Sequence, residues 1–248
     1  MRRIAVIVSF LLLWGVVSAY ENNMANMSTP SEFIPGQMEF EVSHHLYDRL
    51  ENIGVSGLFN AGAEVALGFR ACVLDNFIPY LKYINDRAEL IFGLNYSIIN
   101  SGSFIRAAAD LSLFTYIPGF GQDRQVNFFF LVALQTVRLG EFLSINLNLG
   151  YDNFNQAAGG ALGADMKIAE PFHILLEYGM NFAVPAGNPN IGKTGYFSLG
   201  FKFATSGHHF MFVFQNTPDT GMRNLLLGAP SLESWYFGFT IQRMFDLT

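Results

Sequence analysis

The sequence predicts an all-β fold: a closed antiparallel transmembrane β-barrel of about twelve strands in an up-and-down meander. Residues 38–245 divide into stretches in which apolar and polar residues alternate, the side-chain period of a strand with one oily face. The connections between these stretches mostly alternate between short and long. Only 14% of the residues are charged, whereas 51% are apolar and 26 are Phe. That is too little charge to cover a water-facing surface.

Composition also excludes other classes of protein. After residue 19 no apolar run reaches the roughly 18 residues of a spanning helix, and a sheet in hydrocarbon must close because an open edge leaves backbone groups unpaired. The net charge of −6, without any basic cluster, argues against nucleic-acid binding. The single cysteine, Cys72, excludes an internal disulfide and a cysteine metal cluster. We expect no cofactor.

Three segments follow one another along the chain. Residues 1–19 predict a secretory signal peptide, because two arginines precede an uncharged apolar run that ends in Ser18 and Ala19; an uncleaved N-terminal anchor is the alternative. Residues 20–37 contain two prolines and no periodicity, so we expect a periplasmic N-terminal segment that adds little stability. Residues 38–248 form the barrel domain.

The strands are predicted from the alternating pattern, with boundaries uncertain by a few residues. They are 38–47, 61–71, 77–84, 87–98, 103–115, 125–138, 141–152, 159–168, 172–184, 194–204, 207–216 and 233–245. Pro79 weakens the third of them, because proline cannot donate to a strand ladder. The short turn at Asn85 and Asp86 also stands where the alternation calls for a long loop.

Connection lengths predict which way the barrel faces. Those after strands four, six, eight and ten are tight, and those after strands one, five, seven, nine and eleven are longer. All short turns then lie at one membrane edge, together with both ends of the barrel, which is the periplasmic edge in outer-membrane barrels.

The oily parity of the strands is expected to face lipid. It is made up of Val65, Leu67, Phe69, Leu90, Phe92, Leu94, Tyr96, Phe128, Phe130, Val132, Leu134, Phe197, Leu199, Phe201, Phe203, Trp235, Phe237, Phe239 and Ile241. In the alternative, a secreted soluble barrel or sandwich, the same residues would form a core. The opposite parity favours the membrane reading, because it is rich in Gly, Ala, Ser and Asn rather than in Lys and Glu.

Charged residues on the other parity are expected to face the lumen. They are Glu39, Glu41, Glu64, Arg70, Glu89, Arg106, Asp110, Asp152, Asp165, Lys167, Glu177 and Lys202. Charges enclosed by low-dielectric walls tend to pair. Since eight of these residues are acidic and four basic, the interior is predicted to be acidic and any conducting path to prefer cations. In the alternative, these residues only hold the interior together.

Two pairs of adjacent histidines invite a metal hypothesis. Neighbours on a strand point to opposite faces, so neither pair binds one ion through both rings. By parity His45 and His209 face the lumen on either side of the twelfth strand, while His44 and His208 face outward. A shared metal would need a further ligand such as Glu41, and we predict no metal site.

Motifs for catalysis are weak. Ser43 lies beside His44, and Ser206 two residues before His208, but such pairs arise by chance. The Gly-x-Ser-x-Gly elbow, the phosphate loop and the zinc-protease motif do not occur. We predict that the protein is not an enzyme, with an outer-membrane enzyme acting on lipids as the alternative.

Several segments resemble one family of bacterial membrane proteins. They are Val42-Ser43-His44-His45, Leu67-Gly68-Phe69-Arg70, Leu74-Asp75-Asn76, the stretch from Gly207 to Thr217, and Phe237 to Phe245. Together they are similar to an uncharacterised family of membrane β-barrels, the domain of unknown function DUF5777, with the Gly-His stretch the most specific part. The resemblance spans residues 38–245 and implies the barrel architecture, but it implies no activity.

The sequence therefore predicts a barrel in the outer membrane of a Gram-negative bacterium, reached by signal-peptide export. The predicted role is a narrow channel for ions or small solutes, or a membrane scaffold. The expected partners are outer-membrane lipids and, during insertion, the barrel-assembly machinery. The oligomeric state stays open.

Overall fold

The computed structural model describes residues 24–30, 33–52, 62–85, 88–99, 104–117, 125–136, 139, 142–185, 192 and 194–247. The predicted signal peptide, residues 1–19, lies outside the described residues.

Twelve strands form one closed sheet, and each pairs antiparallel with its neighbours in the chain. They are β1 (Gln37–Leu46), β2 (Ala63–Ala71), β3 (Phe77–Ile84), β4 (Glu89–Ile99), β5 (Ile105–Tyr116), β6 (Asn127–Thr136), β7 (Leu143–Asp152), β8 (Ala157–Ala169), β9 (Phe172–Ala183), β10 (Tyr196–Ala204), β11 (His208–Gln215) and β12 (Tyr236–Asp246). The predicted fold class is confirmed. The barrel closes between β1 and β12, where Gln37 stands opposite Asp246 and His45 opposite Gly238.

Two features that weakened the prediction around β3 have local explanations. Pro79 pairs with Leu94 of β4, but the ladder between β3 and β2 begins only at Tyr80, so the missing N–H of Pro79 breaks no bond to β2. Asn85 accepts a hydrogen bond from the Val65 backbone N–H at 2.6 Å, which folds the short β3–β4 turn over β2. Strands three and four thus lie where the sequence placed them.

The connection between β7 and β8 was predicted long and is short. It spans only residues 153–156, because β8 begins at Ala157. Asp152 accepts hydrogen bonds from the Phe154 backbone N–H at 2.9 Å and the Asn155 amide at 2.7 Å, and Gln156 has a positive φ of 52°. The alternation of short and long connections did not predict this tight turn, because hydrogen bonds to the Asp152 side chain hold it.

The two faces of the sheet differ as the parity predicts. Large apolar side chains cover the outside, and Phe92 and Leu162 expose 60% and 57% of their surface. Inward-facing positions are buried and largely polar, as with Asn146, Ser198 and Gln242. An apolar band on the outside of a closed sheet is what a bilayer requires, because neighbouring strands pair all the way around the barrel and leave no open edge toward the lipid.

Two segments fill part of the interior. One is residues 24–30 of the N-terminal segment, and the other is the β11–β12 connection with its short helix α1 (Met222–Leu225). They pack with inward-facing residues of the wall into one apolar cluster, whose buried members are Met24, Met27, Phe114, Tyr116, Phe129, Leu131, Ala161, Leu175, Tyr196, Met211, Met222, Leu225, Leu226 and Ala229. Neither α1 nor any other described helix is long and apolar enough to cross a bilayer.

This packing corrects the expectation for residues 20–37. The sequence placed that whole segment outside the barrel as a loosely held lead-in, yet Met24, Met27 and Thr29 expose no more than 3% of their surface. Its composition gives no sign of this, because a segment that fills a lumen needs no periodicity of its own.

Candidate functional site

The charged strand residues singled out from the sequence face the lumen. All twelve of those singled out from the sequence lie on the inward parity of their strands. The most deeply buried, each less than a tenth exposed, are Glu39, Glu64, Glu89, Asp110, Asp152, Asp165, Glu177 and Lys202. The partly exposed ones are Glu41, Arg70, Arg106 and Lys167. Lys167 pairs with Glu170, beyond the end of β8, and so lies at the rim.

Glu39 and Arg70 form an ion pair at the short-turn end of the lumen. They stand directly opposite each other on β1 and β2, and Arg70 Nη2 lies 2.7 Å from Glu39 Oε1. The guanidinium also stacks over the ring of Phe33 at 4.9 Å, where the N-terminal segment enters the barrel. This pair therefore joins the wall to the entering chain.

Glu41 and Lys82 pair across an intervening strand. Both stand opposite Gly68 of β2, and the missing side chain lets Lys82 Nζ reach Glu41 Oε1 at 2.8 Å from β3 to β1. A Cβ on Gly68 would lie 3.4 Å from the Glu41 Cβ, so a larger residue would fill the bridging space. The second oxygen of Glu41 accepts a hydrogen bond from Gln242 at 3.0 Å.

Tyr80 of β3 also bonds to a side chain two strands away, across β4. Its ring lies over Gly93 of β4, and its hydroxyl donates to Asp110 of β5 at 2.7 Å. In both cases a glycine on the middle strand allows a long inward side chain to bond to the strand beyond. The spacing of these glycines is visible in the sequence, although their role needs the register.

Arg223 is a functional residue that the sequence analysis missed. It lies in α1 and pairs with two of the predicted lumen acids, Glu89 and, at 3.2 Å, Asp152. Its guanidinium stacks 4.0 Å from the centre of the Phe114 ring. Burial alone would lower the pKa of Arg223, but the charges of Glu89 and Asp152 raise it above its ordinary value. Arg223 sits in a long loop without periodicity, so no pattern places it inside.

Glu177 fixes the N-terminal segment. Its carboxylate accepts hydrogen bonds from the backbone N–H groups of Asn26 and Met27, at 2.9 and 3.1 Å, and from the Asn26 amide at 3.0 Å. The Asn26 amide also donates to Gln215 at 2.9 Å. Ser28 pairs twice with the side chain of Asn148, through its N–H at 2.9 Å and its C=O at 2.8 Å.

The wall opposite this segment is shaped to receive it. Gly163 of β8 faces the sulfur atoms of Met24 and Met27, and a Cβ there would lie 2.7 and 2.6 Å from them. The wall has no side chain at Gly163, and the two methionine side chains fill the space that this leaves. The segment therefore packs against the wall as a core element packs, rather than resting loosely in a wide lumen.

A third charged cluster lies near the short-turn end of β8, β9 and β10. Asp165 contacts Lys202 Nζ and His173 Nδ1, both at 2.6 Å, and all three side chains are buried. The sequence analysis named Asp165 and Lys202 but not His173. The inward parity that selected Glu177, four residues further along β9, would have found it.

A cavity of about 180 Å³ remains beside the two inserted segments. It lies against β1 to β6 and β12. Its charged lining consists of Glu39, Glu41, Arg70, Lys82, Glu89, Asp110 and Arg223. Four acidic residues face three basic ones, and two of those bases, Lys82 and Arg223, were not predicted to face the lumen, so the acid excess is smaller than the sequence indicated.

The histidine pairs do not assemble a metal site. His45 and His209 both face inward, but their positions opposite β12 are Gly238 and Gln242, which places them about 13 Å apart along the strand direction. His45 Nδ1 lies 3.0 Å from the Gln215 amide. Among the described residues no group of three His, Cys, Asp or Glu side chains is arranged to hold a metal ion.

The serine–histidine pairing of β1 does not form a catalytic unit. Ser43 faces inward and shares a 2.8 Å hydrogen bond with Thr240, whereas the adjacent His44 faces outward and stacks on Phe239 at 5.2 Å. Nucleophile and base must lie within hydrogen-bond reach, and the wall separates these two.

An apolar exterior, a closed sheet and a charged, partly filled interior define the class: a membrane β-barrel. The family model DUF5777, described as a membrane bound beta barrel domain, matches residues 125–245. The predicted resemblance to this family is thus confirmed over β6 to β12, while the motifs in β1 and β2 lie outside the matched range. No curated protein matches the chain.

Two solved structures share the architecture. The "KdgM porin" has a TM-score of 0.57 at 9% identity and covers 84% of this chain and 99% of its own. The structure titled "NanC porin structure in rhombohedral crystal form" has a TM-score of 0.51 at 8% identity and covers 83% and 98%. At this identity the likeness is one of fold alone.

Proposed function

We propose that the protein is a non-enzymatic outer-membrane channel for small ions and solutes, closed in this conformation by residues 24–30. The observation that carries the proposal is the lumen itself. A charged cavity remains along β1 to β6 and β12, beside residues 24–30 and the β11–β12 connection, which fill part of the interior and are not part of the wall. The porin folds of the two similar structures support a channel, as does the membrane-barrel description of the family.

The inserted segment is a suitable gate because the wall also carries buried polar groups that form no bond to it and that water could satisfy. On β6 and β7, both amide atoms of Asn146, the Ser144 hydroxyl and the Gln135 side-chain oxygen are buried without a hydrogen-bond partner among the described residues. Water entering as the segment leaves would satisfy these groups, which offsets part of the cost of removing the bonds to Glu177 and Asn148. The chain also enters from the short-turn rim, where Phe33 packs, so it can leave by the same end.

The cavity lining supports a modest preference for cations. Its paired charges narrow the path, and its acidic residues exceed its basic ones by one. A membrane scaffold without transport is the second candidate, and the extent of filling by residues 24–30 and α1 favours it.

Reversal potentials in a planar bilayer under a KCl gradient test the proposal, using the two partners of one ion pair. Glu41→Gln removes an acid and Lys82→Gln removes a base, while both break the same contact. We expect a small potassium-preferring conductance that Glu41→Gln shifts toward chloride and Lys82→Gln shifts toward potassium. Shifts in the same direction would deny these residues a role in selectivity, and a silent bilayer with every variant would favour the scaffold.

A further inference from the structure

Arg243 is the one Asp, Glu, Lys or Arg that faces outward among the strand residues the structure describes. The burial pattern of β12 alternates, with Thr240 and Gln242 buried on the inner face and Ile241 and Arg243 exposed on the outer. The other charged strand residues follow the inward parity of their strands. A cation on a surface that faces hydrocarbon is costly, so its position calls for an explanation.

The arginine lies close to one rim of the barrel. It stands opposite Phe40 of β1 and His208 of β11, three residues before β12 ends at Asp246. The next residue, Met244, donates its N–H to the carbonyl of Gly207 in the β10–β11 turn at 3.0 Å. With a rise of about 3.4 Å per residue and a tilted strand, Arg243 lies about 7 to 10 Å inside the rim. This depth corresponds to the boundary between headgroups and acyl chains.

In the described part of the chain, the guanidinium of Arg243 lies against an aromatic ring rather than a carboxylate. Arg243 stacks over Phe245 at 4.9 Å, and the neighbouring His208 stacks on Phe210 at 5.8 Å. Among the described residues no carboxylate pairs with Arg243, whereas Arg70, Lys82, Lys202 and Arg223 each have one. The stacking occupies one face of the guanidinium, and its N–H donors, which lie in the guanidinium plane, have no carboxylate partner among the described residues.

We infer that Arg243 and His208 bind the phosphate of an anionic phospholipid in the leaflet at the short-turn end. The arginine offers two parallel N–H donors, which match a phosphate better than a point charge does. His208, directly opposite on β11, adds an imidazole donor at the same depth. The acyl chains lie over Phe40, Phe210 and Phe245. An arginine that merely extended toward water would need neither the imidazole nor a particular lipid.

Native mass spectrometry of the refolded barrel in detergent tests this assignment. The protein is mixed with equal amounts of phosphatidylglycerol and phosphatidylcholine, and the lipids that stay bound are identified. We expect one phosphatidylglycerol to be retained about fivefold more often than phosphatidylcholine, with the preference weakening as salt is raised. His208→Gln should reduce this ratio, and Arg243→Gln should abolish it.

The matched control is His44→Gln, an outward histidine on β1 that also stacks on a phenylalanine but has no arginine opposite it. It should retain the wild-type ratio. If Arg243→Gln does not refold, Arg243→Lys keeps the charge without the planar fork, and its ratio should fall between those of the wild type and His208→Gln. Equal retention of both lipids by the wild type, or an unchanged ratio in Arg243→Gln, would overturn the assignment.

Discussion

Asn26, in a segment that precedes the first strand, is bound to Glu177 in the middle of β9 through both its backbone N–H at 2.9 Å and its side-chain amide at 3.0 Å. The Glu177 carboxylate is 1% exposed. A buried carboxylate is tolerated only where donors replace its water, and these donors come from a chain that could leave the lumen. The interior charge of the barrel and the position of its N-terminal segment are therefore coupled.

Asn26→Ala should weaken this coupling. It removes the side-chain amide bonds from Asn26 to Glu177 and Gln215 but keeps the bond from the backbone N–H of residue 26 to Glu177. We therefore expect a loss of about 1–3 kcal/mol in the free energy of unfolding. Urea titration of the refolded protein in detergent micelles measures it. Gln37→Ala removes two exposed bonds, to Asp246 and to the Ile34 N–H, and should change the value by about 0.5 kcal/mol or less. Equal losses in the two variants would mean that the buried bond carries no special weight.

Gly163→Leu should expel the methionines that face it. A Cβ already meets the sulfur atoms of Met24 and Met27 below 3 Å, and a leucine adds volume that the packed wall cannot take up. We expect a larger single-channel conductance than in the wild type. Gly207→Ala is the control, because the nearest atom to a Cβ there is 3.8 Å away. Wild-type conductance in Gly163→Leu would show that displacing this segment does not open a path.

Arg223→Gln should be the most damaging of these single changes. It leaves Glu89 and Asp152 buried with their cation gone, which costs about 3–5 kcal/mol for a buried pair. Thermal unfolding followed by heat-dependent gel mobility measures the loss. Adding Glu89→Gln should recover part of it, because one uncompensated charge is then removed. Glu51→Gln breaks an exposed pair with Arg49 and should have almost no effect.

Cys72 is a native reporter for the entry of the N-terminal segment. Its thiol lies just beyond β2 and donates to the carbonyls of Phe33 and Leu74, at 3.6 and 3.2 Å. Burial, assisted by the charge of Asp75, raises the pKa of the thiol. A raised pKa lowers the thiolate fraction at neutral pH, so maleimide labelling should be slow and should keep increasing as the pH rises above 8.

Phe33→Ala uncovers this thiol and should move the labelling profile toward lower pH. Mass spectrometry after timed labelling between pH 7 and 10 gives the two curves. Superimposed curves for the variant and the wild type would show that Phe33 does not shield Cys72.

The strands of the barrel wall could be predicted from the sequence, but the segments that lie inside the barrel could not. Residues such as Phe92 and Glu89 occupy strands whose period of two fixes the face of every side chain, so parity alone assigns them. The closure between β1 and β12 was predicted for a separate reason: an open sheet edge would leave unpaired backbone groups in hydrocarbon. Pairing across Gly68 or Gly93 could not be predicted, because it depends on a register that one sequence does not specify.

The burial of the inserted residues was not predicted, for a different reason. Asn26 and Arg223 lie in segments without periodicity, and their burial follows from partners more than a hundred residues away for Asn26 and on two separate strands for Arg223. A local pattern carries no information about such contacts. The glycine at position 163 was a sign that the wall makes room for something, but a glycine also reads as an ordinary small lumen residue.

Single-channel conductance of the wild type, compared with a variant lacking residues 20–30, tests the central claim most directly. If residues 24–30 close the lumen, the wild type should conduct little and prefer potassium over chloride. The shortened barrel, shown to be folded by its heat-dependent gel mobility, should conduct several times more with the same preference. A folded shortened barrel that stays as closed as the wild type would contradict this claim.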